Sequence, residues 1–334
     1  MRVVALEEHF VIPSLIKRID PALIVKRGYP HPDQPSARPA IDAKLRDFGD
    51  ARLASLDAAG INLQVMAMSG PGADLLPPTE GVAFARDLND ALAAEVARHP
   101  TRYAGFAHLP LSAPDAAADE FERAVKKLGF LGAMVNGTAD GLFLDDKKFE
   151  PVLARAEALD VPIYIHPGIP PAAIREAYYS GLGGPLSTIL TQAGWGWHAE
   201  VAVHVLRLVL SGALDRHPRL QIVIGHLGEG LQVMMDRFDD VFNNATPKFL
   251  QRTVSQTIVD QVHVTTSGFF NLPGFLALMQ TFGPDRIMFS VDYPYSDNGK
   301  ARAFLDALPV SPADREKIAH GNADRLLKTG SFKA

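Results

Sequence analysis

Short runs of consecutive apolar residues alternate along this chain with longer segments in which apolar residues recur every three or four positions. The short runs predict strands at about 2–8, 62–67, 103–108, 131–135, 162–166, 219–225, 261–266 and 286–291. Most are nearly continuous in Val, Ile, Leu, Ala and Met, as in strands buried on both faces. The longer segments predict helices over Asp50–Ala59, Thr79–His99, Asp115–Leu128, Asp146–Leu159, His198–Leu214, Glu229–Asn243, Leu272–Thr281 and Asn298–Ala307. A closing helix over Pro312–His320 has Ser311 as its N-cap and Pro312 at its first position. Gly60 and Gly129 stand where helices should stop.

Eight strands alternating with helices predict a parallel sheet, and eight is the number that closes a (β/α)8 barrel. We read residues 1–334 as one such domain, with an open doubly wound sheet as the alternative. Two connections exceed the usual length. Residues 11–49 hold six prolines, and residues 167–197 hold Pro167-Gly168-Ile169-Pro170-Pro171, Tyr178-Tyr179 and Trp195-Gly196-Trp197. These insertions follow the first and fifth strands, which in a barrel places them over the mouth as lids or partner surfaces.

Composition narrows the class. The chain has 334 residues, 47% hydrophobic and 21% charged, the balance of a globular protein with a large core. A net charge of −5 and the lack of any Lys/Arg cluster argue against a nucleic-acid or membrane-surface role. No stretch reaches the apolar length of a membrane span. There is no cysteine, so any metal must be held by histidines and carboxylates, and we expect a cytoplasmic enzyme.

The candidate chemistry lies at strand ends. Glu7 and His9 are two apart at the end of the first strand and so share a face. His166 ends the fifth strand before Pro-Gly, where either a barrel ligand or a turn histidine fits. His226 ends the sixth, with Glu229 three residues on, either orienting the imidazole or opening the next helix as a dipole-favoured carboxylate. Asp292 ends the eighth, Asn136 the fourth and His108 the third. In a closed barrel these ends meet at one mouth; in an open sheet the first and last strands lie apart. The convergence favours the barrel. His198, beside Trp195 and Trp197, reads as loop packing or a subunit contact, and His204 as an interior helix residue.

Across Val4-Ala5-Leu6-Glu7-Glu8-His9-Phe10, Pro162–Gly168, Leu206–Gly230, Thr265-Thr266-Ser267-Gly268 and Asp292-Tyr293-Pro294, the chain resembles the amidohydrolase superfamily. It is most similar to the branch of metal-dependent aromatic-acid decarboxylases, which includes the γ-resorcylate and 2,3-dihydroxybenzoate enzymes. Glu7-x-His9 replaces the superfamily's usual H-x-H, and Asn136 stands where a metal-bridging lysine would. The resemblance implies a single divalent ion, zinc or manganese, ligated by Glu7, His9, His166 and Asp292. It implies Asp292 as proton donor, with His226 and Glu229 as an acid–base pair. Arg237 would reach the substrate from a neighbouring subunit, and Phe10, Tyr293, Asn136 and His108 would line the pocket. The expected substrate is an ortho-hydroxybenzoate-type aromatic carboxylate, decarboxylated without oxidation by a homodimer or homotetramer. The alternative within the superfamily is a lactone or amide hydrolase using the same metal.

Overall fold

The computed structural model describes residues 1–242 and 250–332. Nine parallel strand segments form its centre: β1 (Val4–Phe10), β2 (Leu63–Met68), β3 (Tyr103–Gly105), β4 (Ala107–His108), β5 (Ala133–Asn136), β6 (Ile163–His166), β7 (Ile222–Ile224), β8 (Val262–Thr265) and β9 (Ile287–Met288). β3 and β4 are halves of one barrel strand parted at Phe106, so eight strands run in sequence order. Closure comes where Glu8 bridges to Tyr293 in parallel and His9 N donates to Tyr293 O at 2.7 Å.

The strands are buried along their length because one face fills the barrel and the other meets the helices. Val4, Leu6, Leu63, Val65, Phe106, Met134, Tyr164, Val223 and Met288 pack inside. Val3, Ala5, Phe10, Met66, Ile163 and Ile222 pack outward against the helical ring. Strict alternation would send Glu8 inward after Val4 and Leu6. A register shift between Ala5 and Glu8 acts as a bulge and re-aims the strand end. Glu7 and His9 face the interior, while Glu8 and Phe10 face out.

Helices occupy Asp50–Ala59 and Asn298–Ala307 as the pattern predicts, and Pro78–Arg98, Pro114–Leu128 and Leu272–Phe282 within a residue at each end. Other segments differ. The Asp146–Leu159 expectation resolves into a 3₁₀ turn and a helix over Glu150–Leu159. The one at His198–Leu214 starts earlier, at Gly196, and stops at Leu210 before a turn at Ala213–Arg216. The closing helix runs from Pro312 to Glu316 and continues as a π turn over Lys317–Gly321. The expected Glu229–Asn243 helix begins only at Met235, after a 3₁₀ turn at Leu231–Val233, and Asn243 lies outside the described residues. Both insertions carry short helices. Those at Pro13–Ile16, Pro21–Arg27 and Pro39–Leu45 each begin on a proline, whose fixed φ suits a first helical turn. The insertions dock on each other: Arg27 donates to the Ile169 carbonyl and Arg175 to the Lys26 carbonyl, the latter at 3.2 Å.

Candidate active site

Glu7, His9, His166 and Asp292 each present one ligand-type atom, and these atoms lie within 4.8 Å of one another at the C-terminal ends of the strands. His9 Nε2 is 3.1 Å from Asp292 Oδ1, and His166 Nε2 is 3.4 Å from Glu7 Oε1. Yet Glu7 Oε1, both His9 nitrogens and His166 Nδ1 are buried without a hydrogen-bond partner. Buried polar atoms seldom stay unpaired. Glu7 Oε1 and His9 Nε2, which crowd one point with His166 Nε2 and Asp292 Oδ1 without a hydrogen bond of their own, fit a shared cation. Burial, with His9 and His226 adjacent, holds the His166 imidazole well below its ordinary pKa, in the neutral form a metal requires. Burial pushes the Glu7 carboxyl up.

The backbone positions these groups at a cost. His226, Leu227, Glu229 and Asp292 all have φ between 51° and 69°, a left-handed region that costs a non-glycine residue about 1–3 kcal/mol. Glu8 helps hold Asp292 in place. From outside the barrel its carboxylate accepts from Val291 N at 2.9 Å and Tyr293 N at 3.3 Å, the two residues flanking Asp292. Gln64 Nε2 donates to the same carboxylate at 3.0 Å, and Gln64 Oε1 accepts from Arg52 Nε at 2.9 Å. Close approach also demands glycine. A Cβ on Gly225 would lie 2.5 Å from Glu7 Oε2, and one on Gly268, at φ 66°, 3.3 Å from Asp292 Oδ2.

Beside the cluster, His226 Nδ1 and Glu229 Oε1 are 2.8 Å apart, and His226 Nε2 is 3.8 Å from Glu7 Oε1. Against the burial that would lower it, Glu229 and Glu7 raise the His226 pKa to about 10. Glu229 is not at a helix start; it sits in the turn before one, so the dipole reading gives way to direct pairing. Its other oxygen lies 2.5 Å from His198 Nδ1. His198, which sequence reasoning took for loop packing or a subunit contact, is thus the third member of a buried His–Glu–His chain. Phe269 stacks edge-on against both rings, at 5.0 Å and 5.4 Å. Against its burial, His226 and His198 hold Glu229 below the usual carboxylate range.

The expected pocket lining is only partly assembled. Asn136 pairs across the ladder with His166 and keeps a buried, unpartnered Oδ1. Phe10 instead packs outward on Phe48 at 5.3 Å, because it follows His9 and takes the opposite strand face. Tyr293 also faces out, with the Arg52 guanidinium 4.6 Å above its ring. His108 Nε2 accepts from Ala73 N at 3.0 Å and its ring meets Phe84, away from the cluster. Arg237 is exposed on the Met235–Phe242 helix, and among the described residues it makes no contact with the site. Tyr295 and Tyr164, unmarked by the sequence pattern, are present: Tyr295 lies 5.6 Å from His9, and Tyr164 OH donates to Glu7 Oε2. Both are the kind of aromatic hydroxyl that a strand-end motif does not reveal.

A closed parallel barrel whose strand ends gather two carboxylates and two imidazoles is a metal-dependent (β/α)8 enzyme. Residues 29–329 match the family model described as Amidohydrolase. The γ-resorcylate decarboxylase of Rhodococcus jostii is 38% identical over 341 residues, spanning 97% of this chain and 98% of its own. A crystal structure of 2,6-dihydroxybenzoate decarboxylase complexed with 2,6-dihydroxybenzoate superposes with a TM-score of 0.85 at 36% identity, covering 98% of this chain and 99% of that one. That of a dihydroxybenzoic acid decarboxylase from Polaromonas sp., with bound manganese and the inhibitor 2-nitroresorcinol, gives 0.86 at 35% identity, covering 99% and 98%. The chain belongs to the amidohydrolase family, and within it to the metal-dependent aromatic-acid decarboxylases, so it is a carbon–carbon lyase. No described helix is long and apolar enough to cross a membrane.

Proposed function

We propose that this chain decarboxylates ortho-hydroxylated benzoates, 2,6-dihydroxybenzoate first among them, with one manganese or zinc ion held by Glu7, His9, His166 and Asp292. The observation that carries the reading is the convergence of those four side chains, with Glu7 Oε1 and His9 Nε2 buried and unpaired at its centre, in a chain 38% identical to a γ-resorcylate decarboxylase. An ion held there would supply Lewis-acid charge to polarise the bound substrate.

The protein residues supply the rest. Asp292 delivers a proton to the ring carbon that bears the carboxyl group. The new C–H bond interrupts the ring's aromaticity. The C–CO2 bond then breaks, its electron pair returns to the ring, and CO2 leaves. Solvent reprotonates Asp292. Its left-handed backbone, fixed through Glu8, turns Oδ2 toward Gly268, where there is no side chain to block a planar ring. His226, oriented by Glu229 and His198, exchanges the phenolic proton. Asn136 Oδ1, beside His166, is a free acceptor for a second ring hydroxyl.

Arg237 is exposed on its own chain, so it would reach substrate only across a subunit boundary. That goes with a homodimer or homotetramer. Tyr178, Leu182, Leu186, Ile189 and Trp195 of the second insertion are all about half exposed or more, and supply an apolar surface for it.

Manganese-loaded protein should consume 2,6-dihydroxybenzoate in an ultraviolet assay and form resorcinol. Asp292→Asn should lose this activity by at least about 10³-fold while keeping the fold. Full activity in Asp292→Asn removes it as the acid. An untouched panel of ortho-hydroxybenzoates refutes the substrate class.

A further inference from the structure

The opposite, N-terminal face of the barrel carries a cavity of about 450 Å³ between the C-terminal helix and the starts of β6, β7, β8 and β9. Its walls include Arg219, Arg286, Arg325 and His263. Two carboxylates also line it, but each is engaged elsewhere: Asp285 pairs with Lys317 at 3.0 Å and Asp160 with Lys328 at 2.9 Å. Among the described residues none of the three arginines has a carboxylate in ion-pair range. The guanidiniums repel one another, Asp285 and Asp260 attract Arg286 only from beyond ion-pair distance, and neutral partners brace the layout. Arg325 Nη2 donates to Asp285 O at 2.7 Å and to Asn322 Oδ1 at 2.9 Å. Arg286 Nη1 donates to Gln221 Oε1 and to His263 Nε2, both at 2.9 Å.

A guanidinium only donates, so the contact with Arg286 makes His263 Nε2 the acceptor and places the ring proton on Nδ1. That Nδ1 is buried and has no partner. Burial, with Arg286 and Arg325 nearby, keeps the ring neutral down to about pH 3. The neutral ring adds no charge of its own, so the positive character of the cavity wall comes from the three guanidiniums, none of them in an ion pair among the described residues.

We propose that this cavity is a binding site for a compact oxyanion, inorganic phosphate or the phosphoryl group of a small monoester, held by Arg219, Arg286 and Arg325. It is separate from the catalytic mouth. On the face where barrels carry stabilising features, its ligand acts on stability and on the docking of the C-terminal helix.

The test is calorimetric titration of the metal-loaded enzyme with inorganic phosphate and, separately, with glycerol 3-phosphate, comparing wild type with Arg219→Gln and Arg286→Gln. Each variant should weaken binding by at least about tenfold, the loss of one charged hydrogen bond. The exposed Arg219 guanidinium makes no side-chain hydrogen bond or close ion pair among the described residues and feels Glu157 only at longer range, so Arg219→Gln should unfold close to the wild-type temperature in phosphate-free buffer. Tighter binding of glycerol 3-phosphate supports a monoester as ligand; preference for phosphate supports the free ion. No binding, or binding equal in wild type and both variants, as for phosphate at the catalytic metal, overturns the proposal.

Discussion

Tyr164→Phe isolates how a buried hydroxyl governs the metal centre. Glu7 is fully buried, its Oε1 has no hydrogen bond, and among the described residues Tyr164 OH is the only side-chain donor to its Oε2. The phenol proton goes to Glu7, so Thr265 Oγ1, 2.8 Å away, donates to the phenol oxygen. Replacing Tyr164 by Phe keeps the ring, which packs 5.9 Å from Phe106, and opens no sizeable cavity. What is lost is one hydrogen bond to a charged group, about 1.5–3 kcal/mol. Glu7 becomes free to rotate, and binding a metal must then order it. Removing such an outer partner typically weakens metal binding by about 10–100-fold. The assay is titration of apoprotein with manganese or zinc in chelator buffers. Thr265→Val serves as control; it leaves the bond to Glu7 in place and should change affinity by less than about threefold. Wild-type affinity in Tyr164→Phe would refute the view that this hydroxyl orients the ligand.

His198→Phe keeps the edge-on ring packing but removes the contact with Glu229. We expect kcat to fall about tenfold with KM nearly unchanged, and His198→Gln to restore part of it; a change in KM alone would make His198 merely structural. His204 bears on acid stability: it is buried, its Nε2 accepts from Leu144 N at 3.0 Å, and burial lowers its pKa from 6.5 to about 3. The unfolded chain therefore takes up a proton that the folded one refuses. Its stabilising effect is complete above pH 6.5 and declines as pH falls toward 3, by about 2 kcal/mol at pH 5. His204→Gln should flatten that part of the denaturation profile, and an unchanged slope would count against it.

The barrel could be read from sequence because strands buried on both faces leave continuous apolar runs, and a His or Asp ending such a run has no packing reason to be there. Helix boundaries were legible where a terminal signal exists: Gly60 ends one helix, and Asp297 caps another through Lys300 N at 2.9 Å. The Val254–Gln261 helix, absent from the periodic reading, had a signal too, since Thr253 and Gln256 form the T-x-x-Q of a capping box. Other features had none. Strand alternation alone puts Phe10 and Tyr293 opposite their site neighbours, a rule that could have excluded both from the pocket. The bulge that turns Glu7 rather than Glu8 inward depends on pairing with β2. His198 meets Glu229 across 31 residues, a contact made only by the docking of the second insertion.

The four-ligand cluster also explains why this site should trade stability for function. Glu7 and Asp292 bring two carboxyl groups together at one point, and His166, kept neutral, offsets neither, which leaves His226 beside Glu7 as the partial counterweight. Burial pushes the Glu7 carboxyl up, His226 opposes it only in part and Asp292 adds to it, which means that folding works against its ionisation. A divalent cation cancels both charges at once. At a free metal concentration about a thousandfold above Kd, binding adds about 4 kcal/mol. With an unfolding entropy of about 0.7 kcal/mol/K for 334 residues, chelation should lower the unfolding midpoint by about 6 °C. Glu7→Gln removes a ligand and a buried charge together. Its midpoint should respond little to chelator, while its metal-free form should be at least as stable as the metal-free wild type, because Asp292 no longer faces a second carboxylate. Thermal unfolding of both proteins with and without chelator separates the terms. A Glu7→Gln protein that keeps the full chelator shift would show that the cation is bound elsewhere. One that is less stable than wild type even without metal would show that Glu7 is held for packing and not for charge.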